Sequence, residues 1–154
     1  MTVTNVEGFL ASGVASGIKS NQELDLALIT TEDRKPISAA GVFTSNKMTA
    51  APVLVTRKHL EATEGFASTV VLNSGNANAA TGKQGLIDAE QMCELTAQGL
   101  GCESNEILVC STGWIGYPLP MEAVTYGIKN AIDSLDSDAG RTAAKAIMTT
   151  DTVP

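Results

Sequence analysis

Glu106-Ile107-Leu108-Val109-Cys110-Ser111-Thr112-Gly113 is the stretch that decides the fold of this chain. Its first five residues form a short apolar run with β-branched side chains, which predicts a buried strand. Small and hydroxylated residues end the run, and Trp114-Ile115-Gly116 follows them. We therefore expect a strand whose carboxyl end opens into a turn.

The end of this predicted strand carries groups that could do chemistry. Ser111 and Thr112 offer hydroxyls, and a ligand can approach the backbone at Gly113 closely because glycine has no Cβ. Hydroxyls and backbone N–H groups of this kind form oxyanion holes, which stabilise developing negative charge. The same residues suit an ordinary turn. The residues alone leave a plain turn and half of an acyl-transfer site open, and they show no nucleophile.

Further strands are predicted mainly in the first half of the chain. Alternating or continuous apolar patterns mark residues 8–14, 24–30, 37–44, 52–56 and 69–73. The polar segment 31–36 lies between the second and third of these strands, so it predicts a hairpin.

Helical patterns dominate the second half. Thr81 and Gln84 match a capping box, and apolar residues at spacings of three and four follow as far as Leu100. Gly101 is placed to end this helix, and Pro120 to begin a second. A third is expected from Ser137 or Asp138. The pattern predicts a single α/β domain of the α+β type over residues 1–154, with a mixed or antiparallel sheet packed with helices.

Composition narrows the class of protein. The net charge of -7 and the scattered basic residues argue against nucleic-acid binding, and no apolar run is long enough to span a membrane. Three cysteines without CxxC spacing suit reduced thiols in the cytoplasm, with Cys93 and Cys110 as buried small residues. One histidine, His59, without a ligand cluster argues against a metal site.

Two polar segments add candidate ligand groups. Three asparagines lie within residues 73–82, between a predicted strand and a helix. Their side chains could hold a ligand, or they could tie the loop together through hydrogen bonds to its backbone. Met148-Thr149-Thr150-Asp151 follows the last predicted helix and is either the start of a strand or a loop that holds substrate.

Four motifs in order carry a resemblance to a known family. They are Phe43-Thr44-Ser45-Asn46 with Ala51-Pro52-Val53, then Asn73-Ser74-Gly75-Asn76-Ala77-Asn78, then Ser111-Thr112-Gly113-Trp114-Ile115-Gly116 with Pro120-Met121, and Ala146-Ile147-Met148-Thr149-Thr150-Asp151-Thr152. Together they resemble the N-terminal, α-chain half of the ornithine acetyltransferases, the bifunctional glutamate N-acetyltransferases of arginine biosynthesis. The resemblance covers nearly the whole chain, with Trp114 standing where the family usually has a smaller aliphatic residue.

The resemblance implies an autoprocessed acyltransferase of the N-terminal-nucleophile type. Its precursor cleaves itself at an Ala-Thr bond, and the freed threonine of the β chain takes acetyl from N-acetylornithine and passes it to glutamate. The family's oxyanion pair corresponds to Thr112 and Gly113. Its substrate-binding threonine corresponds to Thr149, with Thr150 as the neighbouring alternative. No cofactor is implied, although acetyl-CoA serves some members as acetyl donor.

The resemblance also implies a partner for this chain. The sequence stops at Pro154, before the family's Lys-Gly-Ser-Gly-Met stretch and cleavage site, so the catalytic β chain of the same precursor is expected outside it, in an α2β2 assembly. Two other functions stay open at this point. One is a subunit of an N-terminal-nucleophile hydrolase or peptidase, and the other is a non-catalytic subunit that binds a small molecule.

Overall fold

The computed structural model describes residues 2–154, which form a four-stranded sheet, a two-stranded sheet and four α-helices. In chain order the elements are β1 (Phe9–Val14), β2 (Leu26–Thr31), β3 (Ile37–Ser38), α1 (Ala51–Ala62), β4 (Phe66–Ala67), β5 (Thr69–Asn76), α2 (Gly82–Leu100), β6 (Ile107–Trp114), α3 (Met121–Asp133) and α4 (Gly140–Ala146).

The four-stranded sheet is mixed. Its strand order is β1-β2-β5-β6, with antiparallel pairs β1/β2 and β2/β5 and a parallel pair β5/β6. The parallel connection runs through α2, as a crossover between parallel strands requires. The predicted α/β fold with a mixed sheet packed with helices is confirmed.

The two faces of the sheet are covered unequally. On one face, alternate apolar residues of β2, β5 and β6 pack with α1, α2 and α3 into the main core, which includes Leu28, Val71 and Val109. On the other face, α4 packs on β1 and β2 through small residues, Ala11, Ala27, Ala143 and Ala146. Cys110 and Thr112 of β6 belong to this second face and are exposed, because α4 does not extend over them.

Side chains of α1 hydrogen-bond the backbone groups along the first half of the edge of β6 that does not pair with β5. The Nδ1 atom of His59 lies 2.8 Å from the Ile107 carbonyl oxygen, and the Thr56 hydroxyl bonds both the N–H and the C=O of Val109 at 2.9 and 2.7 Å. The backbone groups of Ile107 and Val109 that make these bonds therefore point away from β5. Since the hydrogen-bonding direction repeats every second residue, the N–H groups of Ser111 and Gly113 point the same way, beyond the end of this capped section.

Two predicted strands are wrong. Residues 52–56 lie inside α1, where Pro52 suits the first helical turn and the buried Val55 and His59 follow helical spacing. Only Ile37–Ser38 of residues 37–44 is a strand, and it pairs with β4. The predicted hairpin cannot form because β1 and β5 occupy both edges of β2.

The helices agree better with the sequence. Helix α2 ends at Leu100, with Gly101 left-handed at φ 75° as its C-cap, and Pro120 directly precedes α3. The capping box is wrong, because the Thr81 hydroxyl donates to Asn78 Oδ1 at 2.7 Å instead of receiving a helix N–H. Helix α4 begins at Gly140, slightly later than predicted. None of the helices in residues 2–154 is both long and apolar enough to cross a bilayer.

Candidate active site

The segment Ser111-Thr112-Gly113 is part of β6 and is not the predicted turn. Its three residues pair in register with Asn73, Ser74 and Gly75 of β5, and the strand continues to Trp114. Gly113 and Gly75 face each other in this register, and both adopt positive φ, 132° at Gly113 and 97° at Gly75. The backbone of Ser111, Thr112 and Gly113 is therefore held in place by the hydrogen bonds between β5 and β6.

Only glycine fits at position 113. A Cβ there would lie 2.6 Å from the Asn76 nitrogen of the neighbouring strand, and φ of 132° is a conformation that other residues rarely adopt. The Gly113 N–H is directed away from β5, by the alternation described above. A ligand can therefore approach this peptide group from the open side of β6.

The two hydroxyls of the segment lie on opposite faces of the sheet. Thr112 is exposed and lines a pocket, whereas the Ser111 hydroxyl is buried on the core side and has no partner among the described residues. The strand's period of two places only one of these hydroxyls where it can meet a ligand. Thr112, with Gly113 beside it, is the donor pair available to the pocket.

The pocket brings together all four residues predicted to belong to the site. It has a volume of about 750 Å³ and lies at the carboxyl ends of β5 and β6, where Thr112, Gly113, Thr149 and Thr150 line it. The ring centroids of Trp114 and Tyr117, which line it as well, lie 5.8 Å apart. With the Trp114 side chain 72% exposed, these aromatic rings form an open apolar wall beside the polar donors.

The asparagines after β5 hold the loops of the pocket together. Asn78 donates its backbone N–H to Asn76 Oδ1 at 2.8 Å and its side-chain amide to the Gly85 carbonyl at 2.8 Å. The Asn76 amide in turn donates to the Pro118 carbonyl at 3.0 Å. Of the two interpretations left open, these contacts favour the structural one for Asn78, while Asn76 also borders the pocket.

The threonine segment after α4 is a bend, and the alternative prediction of a strand there is wrong. The Thr149 N–H donates to Asp151 Oδ2 at 3.0 Å, which fixes the backbone locally. Both Thr149 and Thr150 are exposed, and no hydrogen bond of the described residues engages either hydroxyl. Either hydroxyl can therefore bind a ligand in the pocket.

None of the titratable groups near the pocket supplies an obvious nucleophile. Cys110 precedes Thr112 on the same face and is exposed, which corrects the prediction that it is buried; Cys93 is buried as predicted. Partial desolvation raises the pKa of the Cys110 thiol, so the reactive thiolate is disfavoured. The buried His59 ring has Nε2 3.1 Å from a Glu90 carboxylate oxygen and Nδ1 beside the carbonyl of Ile107, the first residue of β6, whereas the pocket lies at the other end of that strand.

One residue of the pocket was missed in the sequence. The Lys19 ammonium group donates to the Met148 carbonyl at 2.7 Å and to the Leu24 carbonyl at 3.1 Å, and Lys19 lines the pocket. A single lysine in a polar loop after β1 has no distinctive spacing. Only the fold brings it next to Met148, which is distant in the sequence.

The fold and the pocket together define the class of protein. This is an α/β protein with a mixed sheet, whose polar pocket opens where two parallel strands end. The chain matches the ArgJ family over residues 10–154 and belongs to that family. The resemblance to the α portion of ornithine acetyltransferases is thereby confirmed.

Individual relatives agree with this assignment. The chain is 50% identical over 151 residues to the arginine biosynthesis bifunctional protein ArgJ 1 of Clostridium acetobutylicum, which covers 98% of this chain and 36% of that protein. It is 51% identical over 146 residues to ArgJ of Caldanaerobacter subterraneus subsp. tengcongensis, covering 95% and 35%. The chain therefore spans little more than a third of the length of these curated relatives.

Solved structures match the fold closely. The ornithine acetyltransferase of Mycobacterium tuberculosis, crystallised with ornithine, superimposes with a TM-score of 0.94 at 44% identity, covering 99% of this chain and 81% of that one. The ArgJ protein of Bacillus halodurans gives a TM-score of 0.90 at 39% identity, covering 99% and 78%.

Proposed function

We propose that this chain is the α subunit of an acetyltransferase that moves acetyl from N-acetylornithine to glutamate, with acetyl-CoA as a second acetyl donor. One observation carries the proposal: Thr112, Gly113, Thr149 and Thr150 line one pocket, although the two pairs are far apart in sequence. Membership of the ArgJ family and the ornithine-bound relative support a small amino-acid substrate. No other cofactor enters the proposal.

The nucleophile in this proposal is the N-terminal threonine of a β chain from the same precursor. Its hydroxyl oxygen attacks the acetyl carbonyl carbon while its own amino group takes the hydroxyl proton. Collapse of the tetrahedral intermediate breaks the C–N bond, and the proton passes to the departing ornithine amine. The glutamate amine then attacks the carbonyl carbon of the threonine ester and loses one proton to the threonine amino group. The C–O bond breaks as that proton passes to the threonine oxygen, and N-acetylglutamate leaves.

This chain supplies the oxyanion stabilisation. The carbonyl oxygen of the acetyl group becomes negatively charged in each tetrahedral intermediate. The Thr112 hydroxyl and the Gly113 N–H donate to it from a strand whose geometry is fixed by the β5 ladder. Donors held in place before the reaction need no reorganisation when the charge develops, which lowers the barrier.

The uncovered parts of the chain support a tight assembly with the β chain. The second half of the β6 edge is not capped by α1, and Trp114 and Ile115 beside it are 72% and 66% exposed. Exposed strand edges and apolar side chains are typical of surfaces that a partner covers. We place the chain in an α2β2 complex, and its free cysteines suit the cytoplasm.

The direct test is an assay of the assembled enzyme. This chain would be expressed together with the C-terminal region that its relatives have beyond the part matched here. With N-acetylornithine as donor, we expect N-acetylglutamate to accumulate in proportion to added glutamate. A hydrolase would instead release acetate at a rate independent of glutamate. Binding of N-acetylornithine without release of ornithine would favour a non-catalytic subunit and contradict the proposal.

The threonine segment provides a test of substrate binding. If Thr149 hydrogen-bonds the substrate, Thr149→Ala should raise KM for N-acetylornithine about tenfold, because one neutral hydrogen bond contributes about 0.5–1.5 kcal/mol. We expect a smaller change in kcat, and a weaker effect of Thr150→Ala. Steady-state kinetics of both variants decide between them. An unchanged KM in both variants would show that neither threonine binds the substrate and that the segment has only a structural role.

A further inference from the structure

The loop between β1 and β2 is anchored by a buried carboxylate. Asp25 is fully buried, and its Oδ1 atom accepts hydrogen bonds from the N–H and hydroxyl of Ser16 at 2.6 and 2.7 Å. Its Oδ2 atom accepts from the N–H groups of Gly17 and Lys19 at 3.2 and 2.9 Å. A buried carboxylate needs such donors to offset its lost hydration, so the loop is held in one conformation.

This anchored loop places Lys19 between the strand ends that carry Thr112 and Gly113 and the segment that carries Thr149 and Thr150. A Cβ on Gly75 would lie 3.2 Å from Lys19 Cγ, so the lysine stem packs directly on β5, next to the strand that carries Gly113. The ammonium group extends from there to the Met148 carbonyl at 2.7 Å. A single side chain thus connects β5 to the segment that carries Thr149 and Thr150.

We propose that Lys19, held in place by Asp25, is a positioning residue that fixes the Met148–Thr150 segment against the ends of β5 and β6. The inference rests on the proposed function for its kinetic consequences, but its structural content does not. The segment follows the end of α4, whose last carbonyl, that of Ala146, accepts a hydrogen bond from the Ser74 hydroxyl of β5. Within residues 2–154, the segment itself makes two local hydrogen bonds, from Met148 N–H to the Lys145 carbonyl at 3.2 Å and from Thr149 N–H to Asp151. The bond from Lys19 is the one that joins it to a part of the chain distant in sequence.

The test compares Lys19→Met, Lys19→Arg and Lys145→Met in the assembled enzyme. Methionine keeps an apolar stem without the ammonium donor, and arginine keeps a charged donor. Lys145 is exposed in α4 and makes no side-chain hydrogen bond in the described residues, so its substitution removes the same charge without the Met148 contact. Hydrogen exchange of the Met148 and Thr149 amides, which donate the two local hydrogen bonds of the segment, is the readout that does not need activity.

We expect Lys19→Met to speed exchange at these two amides about tenfold, as loss of one charge-assisted hydrogen bond predicts, and Lys145→Met to leave it unchanged. KM for N-acetylornithine should rise about tenfold with a smaller change in kcat, and Lys19→Arg should restore both readouts in part. In a Thr149→Ala background, Lys19→Met should add little to KM, because both changes disable the same contact.

Two outcomes would overturn the inference. One is unchanged exchange at the Met148 and Thr149 amides in Lys19→Met. The other is a uniform rise in exchange along the chain, which would show a general stabilising role. If the wild-type enzyme transfers no acetyl group, the proposed function fails, whereas the exchange measurement still decides the role of Lys19.

Discussion

Thr112→Ala is expected to lower kcat about a hundred- to a thousandfold, which corresponds to about 3–4 kcal/mol of transition-state stabilisation. The threonine hydroxyl faces the pocket, and its removal leaves the developing oxyanion with one donor fewer. KM and the melting temperature should change little because Thr112 is exposed and its backbone stays paired with Ser74. Steady-state kinetics with a thermal melt as folding control measure all three quantities.

Two variants of the same strand serve as controls for this result. Thr112→Ser keeps the hydroxyl and should retain much of the activity. Ser111→Ala removes the neighbouring hydroxyl, which faces the core and has no partner within residues 2–154, and should leave kcat unchanged. A loss in Ser111→Ala equal to that in Thr112→Ala, or near wild-type kcat in Thr112→Ala, would remove Thr112 from the oxyanion role.

Gly113→Ala should have the largest effect on stability. The methyl group would be forced against the Gly75–Asn76 peptide, and φ of 132° would be strained for alanine. Backbone strain and overlap of this kind add to about 3–5 kcal/mol of lost unfolding free energy. Activity should also be lost, because the peptide group that donates to the oxyanion must move. Urea unfolding of the assembled enzyme measures the first effect.

Gly101→Ala is the matched control for backbone strain alone. Gly101 also has a positive φ, 75°, but a Cβ there would meet no atom of the described residues within 4 Å. We expect it to cost about 1–2 kcal/mol and to leave activity intact. Equal stability of the two variants would show that the strands can separate at Gly113 without cost, contrary to the close approach described above.

The sequence predicts the strongly patterned elements and fails where tertiary contacts decide. Strand β6 and helix α2 follow from local patterns, since an apolar run and a helical stripe each identify one element. Residues 52–56 resemble a strand, but Pro52 and the spacing of Val55 and His59 suit a helix that caps the β6 edge. That capping contact joins residues far apart in sequence, so no local pattern reveals it.

The site shows the same division between local and long-range information. Thr112 and Gly113 were expected in a turn beyond the strand, but the strand continues through them, and Gly75 and Gly113 face each other in register. That register depends on two strands at once. The period of two then separates Thr112 from Ser111, which the residue types alone do not distinguish.

Lys19 could not be found by pattern at all. Its role depends on Asp25, which holds its loop, and on the end of α4, which brings Met148 within hydrogen-bonding distance. Motif resemblance points to Thr149 and Thr150 as substrate-binding candidates because their short segment is itself distinctive, and both line the pocket. A positioning residue that acts through a backbone carbonyl leaves no comparable trace in the sequence.

Trapping the acyl-enzyme tests the central claim most directly. The assembled enzyme would be mixed with N-acetylornithine in the absence of glutamate, quenched and mapped by peptide mass spectrometry. We predict one acetyl group on the N-terminal threonine of the β chain, none on residues 1–154, and a rate of labelling about a hundred- to a thousandfold slower in Thr112→Ala. Stoichiometric acetylation of Cys110 or any other residue of this chain, or labelling at the wild-type rate in Thr112→Ala, would contradict the account.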